Sequence, residues 1–135
     1  MQGVKILDKK EHAGGGRSLN VYLKDILALI DREKILTSRW RCRDLDYFIK
    51  IDGEWDSNKD KKMKLSGAEL IKFSENVGQI IDGRFEARTA GAAKHPWLLI
   101  VFFDSSWSEV WSSKPWLLEK IKSHFREVSD ISNNL

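Results

Sequence analysis

Three groups of side chains in this chain are of a type and spacing that could do chemistry. The first is an alternating row, Arg39, Arg41 and Arg43, with Trp40 inside it, followed by the lysines Lys59, Lys61, Lys62 and Lys64. Cationic side chains at this density hold phosphate backbones by charge, and an aromatic among them can stack on a base. Two features weigh against that use. Asp44, Asp46, Asp52, Asp56 and Asp60 are interspersed with the cations, and in a strand Trp40 would face away from the arginines. A solvated charged face accounts for the same pattern.

The second group is Trp107, Glu109 and Trp111, alternating with Ser108, Val110 and Ser112. This period of two sets both indoles and the carboxylate on one face of a strand. They either pack beneath a helix or form a partner-binding surface, since tryptophan is enriched among interface anchors. Trp55, in a charged stretch, is a further candidate contact.

The third group is Asp82, Glu86 and Arg88, which have the residue types of a metal nuclease's acidic pair and base. On one strand all three would face the same way, and cross-strand charge pairing explains them without a metal.

The rest of the chemistry-bearing inventory is thin. His12, His95 and His124 are scattered, with no His-x-x-x-His or Cys-x-x-Cys spacing. Cys42 falls at an inward strand position and reads as a small core residue. Asp104-Ser105-Ser106 lacks the Gly-x-Ser-x-Gly elbow of a nucleophile. Gly14-Gly15-Gly16-Arg17-Ser18 matches neither a P-loop nor a dinucleotide fingerprint and reads as a linker. The expectation is a chain with no catalytic residues, no metal and no cofactor.

The elements that would position these groups follow from the apolar pattern. Trp97 to Phe103 is an uninterrupted apolar run, far shorter than the roughly 20 residues a membrane span needs. Its Ile, Val and Phe content favours a strand. Both faces of that strand are apolar, so either elements cover both sides or one side meets a partner. Trp107 to Ser112 reads as its hairpin mate. Pro115 then opens a helix near Ser113, with Leu117, Ile121, Phe125 and Val128 as one stripe.

Upstream, Gly3 to Leu7 reads as a weak strand and residues 8–17 as a flexible glycine-rich loop. Ser18 would cap a helix from about Leu19 to Lys34, bearing Leu19, Tyr22, Leu23, Ile26, Leu27 and Ile30 on one face. Thr37 to Asp44 reads as a strand. The apolar phase then slips to Leu45, Tyr47, Ile49 and Ile51, so a bulge or tight turn is expected at Arg43-Asp44. Asp52-Gly53 is a turn signal, and residues 54–64 read as a solvated loop.

Leu65-Ser66-Gly67-Ala68-Glu69-Leu70 carries both a capping box and a hydrophobic staple, opening a helix that stops at Gly78. Ile81 to Arg88 alternates as a strand with one buried and one charged face, and Thr89 to His95 reads as a small-residue turn. The tail after 128 is expected to fray.

One α+β domain over 1–135 follows: an antiparallel sheet of about four to six strands with three helices on it, in the order (β)αββαβββα.

The chain has 23 basic and 20 acidic residues. Ten and seven of these lie between Arg32 and Lys64, which leaves thirteen of each elsewhere. The cationic excess is thus local, and small for a nucleic-acid binder. The single cysteine fits a reducing compartment, and the N-terminal segment is too charged for a signal peptide, so the cytoplasm is expected.

The functional expectation is a non-catalytic protein that binds a protein partner or a second copy of itself through Trp107, Glu109, Trp111 and Trp55. A nucleic-acid module using Arg39, Arg41, Arg43 and the 59–64 lysines is the alternative. A metal-dependent hydrolase using Asp82 and Glu86 is the further alternative. No membrane partner is expected.

Overall fold

The apolar run becomes the middle strand of a seven-stranded antiparallel sheet. The computed structural model describes residues 1–89, 91 and 94–131. In chain order the elements are β1 (Gln2–Ile6), β2 (Lys9–Glu11), β3 (Arg17–Leu19), α1 (Leu23–Leu27), α2 (Arg32–Leu36), β4 (Ser38–Ile51), β5 (Glu54–Ser66), α3 (Gly67–Asn76), β6 (Val77–Thr89), β7 (Leu98–Phe103), β8 (Trp107–Ser112), α4 (Pro115–His124) and β9 (Val128–Ile131). The large sheet runs β5-β4-β6-β7-β8-β1-β9, and β2 and β3 form a separate hairpin. The α+β class and the antiparallel sheet are as expected. The strand and helix numbers are larger than expected, for reasons that lie in particular segments.

Residues 8–17 are not one flexible loop. Lys9–Glu11 pairs with Arg17–Leu19, and Gly14, Gly15 and Gly16 turn the chain between them at φ of 90°, 97° and 91°, where a side chain would be strained. Ser18 is thereby taken into a strand, its hydroxyl 2.7 Å from His12 Nε2, and it caps nothing. The helix expected over 19–34 is correspondingly split into α1 and α2, each one turn and a half, joined through Ala28–Ile30.

Residues 54–64 are a strand rather than a loop, hydrogen-bonded along β4 from Glu54 opposite Ile51 to Ser66 opposite Arg39. Its lysines are polar enough to read as loop because this edge strand has little to bury. The tail forms β9, which pairs with β1 from Ile6–Val128 to Gly3–Ile131. Asp8 holds it there: its carboxylate accepts the backbone N–H of Arg126 and of Glu127. Residues 132–135, and part of the turn read over Thr89 to His95, lie outside the described residues.

Other expectations hold. The bulge in β4 falls where the phase slips, with the register shifting between Cys42 and Leu45 and Asp44 at φ 55°. The capping box is complete: Glu69 N–H donates to Ser66 Oγ at 3.2 Å, and Ser66 N–H to Glu69 Oε1 at 2.9 Å. The Ser66 backbone N–H, and then the Ser66 hydroxyl, hold the Glu69 carboxyl below its ordinary range by hydrogen bonding to it. Helix α3 ends at Asn76, two residues before the glycine. Helix α4 has Pro115 in its first turn, with Lys114 rather than Ser113 at the cap, and stops at His124, so Val128 joins β9.

The helices lie on one side of the sheet. Leu23, Ile26, Ile35, Leu70, Leu117 and Ile121 pack in one core with Val4, Ile6, Trp40, Cys42, Phe85, Leu98, Ile100, Phe102 and Val110. The residues between these on each strand point the other way, and no helix among the described residues covers them. Strand β7 is therefore central yet protected on one face only: Leu98, Ile100 and Phe102 are buried, Leu99 and Val101 half-buried, and Phe103 exposed. Trp97 departs from the alternation of β7. Its ring is buried on the helix side, its indole N–H donating to Ser38 Oγ at 3.0 Å beneath the ammonium of Lys34.

Candidate functional site

The bare face collects most of the residues the sequence singled out. Register fixes who stands beside whom, because directly opposed residues share a face. Lys64 pairs with Arg41, Arg41 with Glu86, Glu86 with Leu99, Leu99 with Trp111, and Trp111 with Gly3. The adjacent row runs Arg43, Arg84, Val101, Glu109 and Lys5. Arg39 stands opposite Arg88. One half of the face, on β5, β4 and β6, is cationic; the other, on β7, β8 and β1, is aromatic and apolar.

The cationic half is organised by one acid. Glu86 is only 5% exposed. It accepts from Arg43 at 2.6 Å through Oε1 and from Arg88 at 2.9 Å through Oε2. Burial pushes this carboxyl up, but the two guanidinium hydrogen bonds, with the attraction of both charges, bring it below its ordinary value. Glu86 thus fixes two arginines and neutralises one of them. Arg39, Arg41, Arg84, Lys62 and Lys64 enter no ion pair among the described residues. Shallow concavities of about 420 and 410 Å³ lie between these side chains, one reaching Arg39, Ser66 and Arg88, the other Arg43 and Lys62.

In the aromatic half, Glu109 accepts both indole N–H groups at 2.9 Å, Trp107 through Oε2 and Trp111 through Oε1. With their polar edges satisfied, the tryptophans offer ring faces rather than donors. The Trp107 ring is enclosed, stacked at 4.5 Å on Phe103 with the Lys5 ammonium 4.1 Å from its centroid. The Trp111 ring lies flat on the backbone of Gly3: a Cβ there would come within 2.5 Å of it. Glycine is required at this position so that the indole can lie down and present its outer face.

Other candidates lie elsewhere. Trp40 turns from the arginines into the core, 2% exposed, its N–H donating to Ile35 O. Lys61 stands opposite the core residue Leu45, so it does not share the face of Lys64, and Lys59 is exposed beside the Asp60 bulge. Trp55 is 57% exposed near the tip of the β4–β5 hairpin, lying over Gly78 and opposite Lys50. It does not join Trp107 and Trp111.

Asp82 and Glu86 form no acidic pair. Asp82 accepts the Asp104 N–H at 2.8 Å, as Asp46 accepts that of Asp60, and Glu86 is held by its arginines. Among the described residues no group of three or more His, Cys, Asp and Glu could hold a metal ion. Cys42 is buried, and burial pushes its thiol up to about 12, which leaves it inert at neutral pH.

Arg84, Gly3 and Lys5 belong to the face and are not singled out by the sequence. Arg84 was visible as part of a charged strand face, but only the pairing of β6 with β4 sets it beside Arg43. Gly3 gave no signal without knowing that Trp111 stands opposite. Among the described residues no helix is long and apolar enough to cross a membrane. Comparison with protein-family models, with curated proteins and with solved structures finds no match for this chain.

Proposed function

We propose that this chain is a non-catalytic binding protein that takes an anionic partner across the bare face of its sheet. One observation carries the reading: the unpaired arginines and the tryptophan pair, far apart in sequence, stand on the same uncovered face in neighbouring rows. A seven-stranded sheet with one naked side, central positions such as Leu99 and Val101 half-buried there, and an excess of fixed positive charge suits a surface completed by a ligand. The same reading puts the protein in a reducing compartment such as the cytoplasm, in keeping with its lone buried thiol.

Retention on immobilised heparin, a polyanion without bases, tests it. The wild type should elute at clearly higher salt than the triple variant Arg39→Glu, Arg41→Glu, Arg84→Glu, with both showing the same thermal melt. Equal elution would sink the reading.

Self-association is the second reading, favoured by the half-buried Leu99, Val101 and Trp111. A two-fold pairing would set the arginine half of one copy on the tryptophan half of the other. Light scattering behind size exclusion decides it: a dimer lost in Trp111→Ala supports it, and a monomer at all concentrations rules it out.

A further inference from the structure

Resting on that reading, we propose that the ligand is single-stranded nucleic acid. A short stretch crosses the sheet from β5 to β8, with phosphates on Arg41, Arg84 and Lys64 and one base stacked on the Trp111 indole.

Two observations favour this over an acidic protein segment, and a third sets its path. Trp111 has its N–H bound to Glu109 and its ring flat on Gly3, so what it offers is a π-face lying parallel to the sheet. A planar base uses such a platform, whereas a carboxylate side chain does not. The unpaired cations are spread over three adjacent strands instead of forming one pocket, which suits a chain of regularly spaced anions.

The third observation is a boundary. Asp46, Asp60 and Asp82 gather just beyond Arg84, beside Val101 and Phe103. They close that side to a phosphate backbone and direct it across the strands, along the row from Lys64 to Trp111.

That row covers four inter-strand steps. At about 4.8 Å each they span ~19 Å, room for about 4 nucleotides, the low end of site sizes for single-strand-binding modules. A duplex fits poorly, since its bases are already stacked and paired and leave Trp111 nothing to accept.

Titration of fluorophore-labelled oligouridylate and oligodeoxythymidylate of two, four and eight residues, followed by anisotropy, tests the proposal. Affinity should rise up to about four residues and then level off, with tryptophan fluorescence quenched on binding. For three phosphate contacts the log–log salt slope should be about −2.

Trp111→Ala should weaken binding roughly tenfold. Arg41→Ala should weaken it and make the slope shallower by about 0.7. Because the exposed Arg41 supports no core contact, its variant reports even if Trp111→Ala proves unstable.

Heparin retention without oligonucleotide binding would overturn this proposal and leave the anionic-partner reading standing. Equal competition by duplex or by polyglutamate would do the same. Absence of binding to every polyanion would remove both.

Discussion

Replacing Glu86 by glutamine should move stability and anion binding in opposite directions. The substitution keeps the shape of the side chain and removes its charge. Breaking a fully buried ion pair costs about 3–5 kcal/mol. Here the carboxylate is 7% exposed, but the Arg43 and Arg88 side chains are 43% and 28% exposed. Water can therefore replace much of what the guanidinium groups lose, and the carboxamide oxygen still accepts one hydrogen bond. A loss of about 1–2 kcal/mol follows, discounting the buried figure for that exposure. With a urea slope of ~2 kcal/mol/M, the unfolding midpoint should drop by roughly 0.5–1 M at unchanged slope.

Binding responds with the other sign. Arg41 stands directly opposite Glu86, and at a cross-strand spacing of about 5 Å a phosphate on Arg41 would meet a negative charge that the variant lacks. In a water-like medium that repulsion is about 0.8 kcal/mol before salt screening, so affinity should rise about threefold.

The pH dependence has a definite sign. The folded carboxyl lies below its unfolded value. Its contribution is therefore complete above an unfolded pKa of ~4.3 and disappears as pH falls through the folded value. The stability gap between wild type and Glu86→Gln should be full at pH 7 and close in the acid range. A gap that does not change with pH, or a variant more stable than the wild type, would refute the view that the two arginines stabilise this carboxylate. A variant that loses both stability and polyanion binding would mean that Glu86 serves the face by positioning Arg43 and Arg88 more than it opposes ligand charge.

Three further outcomes are expected. Gly67→Ala would place a Cβ 2.1 Å from Ile35 O and 2.6 Å from the Cα of Leu36, both backbone, so α2 and α3 must separate. A loss of about 3 kcal/mol should appear in urea unfolding. Asp8→Ala removes the acceptor for the Arg126 and Glu127 amides and should cost about 1–2 kcal/mol, with faster hydrogen exchange confined first to β9 and its β1 contacts. The Cys42 thiol, pushed up to about 12 by burial, should resist a disulfide reagent at pH 8 except at the rate of unfolding, and quick labelling of native protein would contradict its placement.

What the sequence reveals and what it conceals divide along physical lines. The capping box at Ser66 and Glu69 is a local code of two reciprocal hydrogen bonds, and it was legible residue by residue. The β4 bulge was legible because a phase slip between Cys42 and Leu45 has no other remedy on a one-sided sheet. By contrast, β5 is an edge strand with little to bury, so Trp55 to Lys64 lacked the alternation that marks a strand. The 19–34 stripe had helical spacing, yet Arg17–Leu19 found hydrogen bonds in a hairpin that propensity alone does not count. The candidate site was half legible. Each strand announced which of its residues share a face, but not which face of a neighbour they join, because register is a property of pairs. In sequence the arginine row and the tryptophan pair therefore look like rival surfaces, whereas pairing through β6 and β7 makes them one.

That union also bears on why the proposed partner should come to the face rather than to an edge. Strand addition needs a free, flat row of backbone donors and acceptors, and both ends of this sheet deny one. On β5 the edge is studded with Lys59, Lys61, Lys62 and Lys64, and Asp60 at φ 52° breaks its regularity. At the far side Lys122 of α4 reaches across to Asp130 of β9 at 2.7 Å. The middle of the bare face differs from both edges. Its backbone groups are already paired on either side, so what it offers is side chains alone: the unpaired Arg41 and Arg84 beside Glu86, and an indole laid flat on glycine. Recognition there must work by charge and stacking. For that reason the salt slope and the Trp111→Ala deficit bear on the proposal more directly than affinity by itself.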